Sequence, residues 1–154
     1  MEILLFKDKS FVGKYIKLFT RGKYSHAAIR TKDGVVYEAT AKDGVRKLSD
    51  IIQKEGFDKY VIDVYKVKTT VAQDKLIIDF LEEQLGKKYD FWMVAGFVIY
   101  STRQSRKSWS KWFCSELVFA AFEKGKIKLL NTEPWKVAPE HLSWSQLLRF
   151  DYTI

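Results

Sequence analysis

Two extended runs, YSHAAIR at 24–30 and VVYEA at 35–39, are separated by TKDG, and this arrangement constrains the fold of the chain more than any other. Apolar, aromatic and β-branched residues suit strands, and Lys-Asp-Gly suits a tight connection, so the pattern predicts an antiparallel hairpin. Lys32 and Asp33 fit a type I turn, and Gly34 fits the left-handed position that follows it. A three-residue loop of this kind pairs Thr31 with Val35 and therefore Ala28 with Glu38. His26 then shares a face with Glu38, one diagonal step away. A two-residue loop instead puts the two on opposite faces. The hairpin thus permits, without requiring, a carboxylate that orients a histidine. The plainer alternative is a satisfied sheet histidine and a solvated glutamate.

The other elements follow from periodicity. EILLF at 2–6 reads as a short buried strand, YVIDVYKV at 60–67 as a strand with one wet face, and LLRFDY near the end as a further strand. KSFVGKYIKLF at 9–19 sets Phe11, Tyr15, Leu18 and Phe19 at helical spacing, although Gly13 weakens that helix. From about 71 to 85, Leu76, Ile77, Phe80, Leu81 and Leu85 form one stripe, with Gly86 as a stop. A second helix is predicted over 114–124, closed by Gly125, and Pro139 suits the first position of another. Strands come first, helices later, and the connections are short. The fold class is therefore α+β with a largely antiparallel sheet. A chain of 154 residues, 47% of them hydrophobic, buries one ordinary core, which predicts a single domain over 1–154.

Charge and cysteine usage narrow the chemistry. The formal net charge is +8, which favours polyanionic surroundings (nucleic acid, anionic lipid or cell-wall polymer) without choosing among them. One cysteine rules out an intrachain disulfide. Two histidines without zinc-type spacing argue against a structural metal site. No glycine-rich phosphate loop or paired-carboxylate motif is present. Glu2 and Ile3 run straight into the first strand, so no secretory signal is expected. The apolar run FWMVAGFVIY at 91–100 is about half of what a membrane-crossing helix needs. The expectation is a chain made as a soluble cytoplasmic protein.

Three places can carry function. In WFCSELVFAAF at 112–122, Leu117, Val118, Ala121 and Phe122 follow Cys114 at i+3, i+4, i+7 and i+8. Cys114 therefore lies on the stripe that faces the core, where free cysteines are common. It also occupies the first turn of its helix, where unpaired N–H groups and the dipole favour a thiolate. The second place is the His26–Glu38 hairpin. The third is the basic, tryptophan-containing segment 101–112, in which Arg103, Arg106, Lys107 and Lys111 accompany Trp109 and Trp112. It suits an anionic lipid interface, stacking on bases, or simply a solvated loop after a core helix. His141 follows a helix start and is expected at the surface.

In order along the chain, EILLF, YSHAAI, VVYEAT with KDGV, GKKYDF and FCSELV resemble the permuted papain-like branch of the NlpC-type cysteine peptidase superfamily, and in particular its YiiX-like members. In the unpermuted enzymes the cysteine helix precedes the histidine strand; here, as in the permuted ones, it follows. The resemblance implies a sheet or partial barrel packed against helices. It implies Cys114 as nucleophile, His26 as general base and then acid, Glu38 as the residue orienting the imidazole, and Tyr89 lining the site. It implies amide cleavage through an acyl-enzyme, with cell-wall peptide (peptidoglycan) as the leading substrate class and no metal or cofactor. Acyl chemistry on lipid-like esters or amides, of the lecithin retinol acyltransferase type, is the second reading. A non-catalytic module binding an anionic polymer, at a wall or membrane surface, is the third. No specific nucleic acid is implied. The segment between Tyr89 and Cys114 departs from the family pattern.

Overall fold

EILLF contains no polar residue after Glu2, so a strand made from it must be covered on both sides. The computed structural model, which describes residues 1–8, 22–49, 60–90 and 110–154, places it at the interior of a six-stranded sheet. The chain runs through β1 (Glu2–Asp8), β2 (His26–Arg30), β3 (Val36–Thr40), β4 (Gly44–Leu48), β5 (Tyr60–Val67), α1 (Val71–Gln84), β6 (Lys88–Tyr89), β7 (Lys111–Trp112), α2 (Cys114–Lys124), a 3-10 turn at Pro134–Lys136, α3 (Pro139–Leu142) and β8 (Leu148–Thr153). The sheet order is β4-β3-β2-β1-β5-β8, and every neighbouring pair is antiparallel. The molecule is α+β, as expected. The helix predicted at 9–19, the apolar run at 91–100 and the basic segment before Ser110 lie outside the described residues.

Alternation along the strands sorts the core into two layers. Ile3, Leu5, Ala27, Ile29, Tyr37 and Ala39 face α1 and α2, which contribute Ile77, Phe80, Leu81, Leu117, Val118, Ala121 and Phe122. On the other face Leu4, Phe6, Ala28, Val36, Leu48, Ile62 and Val64 form a second cluster. β5 is less wet than its pattern predicts. Asp63 is buried, and its carboxylate accepts hydrogen bonds from Lys7 (2.8 Å), Tyr24 (2.6 Å) and Thr153 (2.8 Å). Those partners replace the water that an aspartate would otherwise need.

Both helices differ from their sequence-based outline in one instructive respect. In α1 the buried face is Ile77, Phe80, Leu81 and Gln84, while Leu76 is 42% exposed. The face is rotated because Gln84 has interior work: its amide Nε2 donates to Phe80 O, and its Oε1 accepts from the Trp112 indole at 3.2 Å. Gly86 ends the helix in the left-handed region, φ +78°, as predicted. Gly125 closes α2 but does so at φ −72°, and the left-handed residue is Lys126. Glycine is required at 125 by packing, since a Cβ there would lie 2.6 Å from Ile77 Cγ1.

Candidate active site

The first hairpin takes the three-residue loop. Thr31 N–H donates to Val35 O at 2.9 Å, Gly34 has φ +87°, and Ala28 pairs with Glu38. His26 and Glu38 consequently share a face, and Nε2 of His26 lies 2.7 Å from Oε2 of Glu38. Phe6, directly opposite His26 on β1, holds the imidazole edge-on with ring centroids 5.0 Å apart.

Cys114 is the first residue of α2, whose packing against β2 and β3 carries its N-terminus to the histidine. The Cys114 side chain is fully buried, yet it stands apart from the main core: its apolar neighbours are Phe113, Tyr89 and Trp135. The helical stripe therefore divides. Leu117, Val118, Ala121 and Phe122 enter the core, while Cys114 lies close enough to His26 and to Tyr89 to interact electrostatically with both. Tyr89 is placed by β6, which pairs in parallel with β7 so that Tyr89 lies beside Trp112, two residues before the cysteine. All four predicted site residues are thus in one place.

The electrostatics of this group centre on the buried imidazole and the carboxylate behind it. Burial opposes a charged imidazole at His26. The negative charge of Cys114 and its hydrogen bond, followed by the bond and charge of Glu38, outweigh that cost and push the pKa up to about 10. Burial would likewise raise Glu38, but the hydrogen bond and charge of His26, then those of Arg46, hold it down at about 2. Tyr89 is raised above the ordinary phenol value, first by burial and then by the charge and hydrogen bond of Cys114. It stays protonated and can act as a donor.

Arg46 is the residue that sequence reasoning missed. It faces Glu38 from β4, and its Nε and Nη2 both donate to Oε1 of Glu38, at 2.9 and 2.7 Å. The alternation in GVRKL would have placed Arg46 on the face of Glu38 had β4 been paired with β3. His141 is half-buried rather than at the surface. Its Nδ1 accepts the N–H of Ala138 at 3.1 Å, and its ring lies against Trp144, so it closes the start of α3 and takes no part in the site. A cleft of about 1030 Å³ opens at the opposite end of the strands, lined by Arg30, Lys32, Lys66 and Arg149 among others, and contains none of the four site residues. Among the described residues no cluster of His, Cys, Asp and Glu suits a metal ion, and no helix is long and apolar enough to cross a membrane.

The family described as "Permuted papain-like amidase enzyme, YaeF/YiiX, C92 family" matches residues 3–136. No curated protein matches the chain. Among solved structures, one described as the metalloprotein yiiX from Escherichia coli O157:H7, DUF1105, superposes with a TM-score of 0.72 at 17% identity, covering 99% of this chain and 96% of that one. At that identity the likeness shows the papain-like fold.

Proposed function

This chain belongs to the permuted papain-like amidase family, and on that premise we propose that it is a cysteine hydrolase that cleaves an amide through a thioester acyl-enzyme. The observation that carries the proposal is the contact of one cysteine, at a helix N-terminus, with a histidine already held by a buried carboxylate. With Nε2 of His26 on Glu38, Nδ1 is the ring nitrogen left for the sulfur. The Cys114 thiolate attacks the carbonyl carbon, and the carbonyl π electrons move to oxygen. The backbone N–H of Cys114, at a helical position with no intrahelical acceptor, donates to that oxyanion. The Tyr89 hydroxyl, protonated and on a ring packed beside Cys114, is a second donor for the same oxyanion. Imidazolium His26 then gives its proton to the departing amine as the C–N bond breaks. In the second half His26 takes a proton from water, the hydroxide attacks the thioester, and the carboxylic acid and free thiol are released. Glu38 fixes the ring and balances the imidazolium charge throughout.

The peptide stems of bacterial cell wall are the proposed substrate class. They offer amide bonds within an anionic polymer, which suits a chain of net charge +8. The test is incubation of purified peptidoglycan with the protein and with Cys114→Ala, followed by mass analysis. New amino and carboxyl termini are expected with the wild type alone. If none appear while iodoacetamide labels Cys114 rapidly at pH 6, the substrate class is wrong and the chemistry stands. If the thiol of the folded protein is inert up to pH 10, the hydrolase reading falls.

A further inference from the structure

We propose that Arg46 is a positioning residue of this site: it fixes the Glu38 carboxylate in the orientation that aims His26 at Cys114, and Asp43 fixes Arg46 in turn. The inference rests on the reading of Cys114 and His26 as the reacting pair, and extends it one strand outward.

The geometry divides the carboxylate between two tasks. Oε1 of Glu38 receives both Nε and Nη2 of Arg46, and Oε2 is left for the imidazole at 2.7 Å. The third guanidinium nitrogen, Nη1, donates to Asp43 in the loop before β4. All three nitrogens are therefore committed, and the planar fork leaves the carboxylate little freedom to rotate. Such a constraint matters because His26 and Glu38 are diagonal rather than directly opposite neighbours, so the glutamate must lean along the strand to reach the ring. It also matters because Glu38 is only 3% exposed. Of the two cationic partners that keep this buried carboxylate ionised, His26 acts first and Arg46 second, and a protonated Glu38 would no longer balance an imidazolium. Arg46 touches neither sulfur nor substrate in this scheme; it acts through Glu38. The arrangement amounts to a line of side chains, Cys114, His26, Glu38, Arg46, Asp43, that begins at a helix terminus and ends at an exposed loop.

The experiment is the iodoacetamide alkylation rate of the thiol from pH 4 to 9 in the wild type, Arg46→Met, Arg46→Lys and Asp43→Asn, with denaturant stability measured in parallel. The wild type is expected to keep its rapid reaction down to about pH 5, because Glu38 stays ionised there. Arg46→Met is expected to lose at least about threefold at pH 5 while losing less at pH 8, since Glu38 keeps His26 but loses the second of its two cationic partners and moves toward the ordinary carboxyl range. Arg46→Lys restores the charge without the fork and should recover part of the acid-side loss. Asp43→Asn should move the profile in the same direction by a smaller amount. A purely structural ion pair would lower stability and leave the pH profiles parallel, and that result overturns the proposal. Should Arg46→Met not fold, Arg46→Lys and Asp43→Asn decide it by the same criterion. A wild-type thiol inert in the folded protein sinks the reacting pair itself. A reactive wild type with parallel variants sinks only the role of Arg46.

Discussion

Two hairpins share β3 and close with the same tripeptide, Lys-Asp-Gly, yet they close in different registers. In the first, Lys32, Asp33 and Gly34 are the loop, between paired Thr31 and Val35. In the second, Gly44 has already joined the strand opposite Thr40, and the loop is Ala41–Asp43. Had the second copied the first, Glu38 would face Leu48 instead of Arg46. The difference lies outside the turns. Around Gly34 a Cβ would meet nothing within 4 Å, whereas at Gly44 it would lie 2.3 Å from Lys87 O. Val45 N–H donates to that same carbonyl at 2.8 Å, and Gly86 N–H donates to Val45 O at 2.9 Å. The arm that delivers His26 is set by its own turn chemistry. The arm that delivers Arg46 is set by the chain leaving α1.

The sharpest break in this comparison is at Glu38, where the two arms meet. Glu38→Gln removes the charge that both His26 and Arg46 face, and is expected to cost about 2 kcal/mol, discounted from the fully buried case because both partners are part-exposed. Amide cleavage should fall by about 10⁴-fold, as when a neutral amide replaces a histidine-orienting carboxylate. The pH dependence follows from the raised histidine. Stability contributed by His26 is fully present below its ordinary value of 6.5 and is lost as pH rises through about 10. Without the Glu38 charge the folded-state value drops, so the loss begins at lower pH. NMR titration of His26 with urea melts at pH 6 and pH 9 checks both points. An unchanged titration would separate the hairpin geometry from the chemistry of the site.

Gly44→Ala comes next. It places a Cβ against a backbone carbonyl, at φ +69°, where an L residue is already strained. The expected cost is about 2–4 kcal/mol by urea denaturation. Because the same contact sets the register that brings Arg46 to Glu38, the thiol should also lose reactivity at pH 5 relative to pH 8. A cost below about 1 kcal/mol would mean that the contact with Lys87 does not fix the second hairpin.

The same contrast explains what the amino-acid sequence disclosed. The register of the first hairpin was legible only in part: Lys32, Asp33 and Gly34 suit a three-residue loop, but a two-residue loop stayed open until the structure paired Ala28 with Glu38. The helix starting at Cys114 was legible from its apolar spacing. Pattern alone left Cys114 divided between core and site, and the order of motifs along the chain pointed to the chemistry. Arg46 was not legible, because its partner depends on hydrogen bonds from residues 86 and 87, across a separation that no periodicity encodes. The face of α1 was misjudged for a related reason. Trp112 needs an acceptor for its indole N–H, and Gln84 supplies it from an interior position, while of the predicted stripe only Leu76 is exposed and Leu85 still packs against the core.

The smallest expected effect lies at Gly34, and its smallness is what gives the comparison its content. Ala in place of Gly34 carries the left-handed backbone cost, φ +87°, without any steric contact, so about 1–2 kcal/mol is expected. Asn, which tolerates that region better, should cost about half as much. Both variants keep Thr31 opposite Val35, so the pH profile of Cys114 alkylation should overlay that of the wild type. A Gly34→Ala variant that loses as much stability as Gly44→Ala, or that alters the thiol, would show the first hairpin to be held by the rest of the molecule after all. The route by which His26 reaches Glu38 would then be tertiary, like that of Arg46.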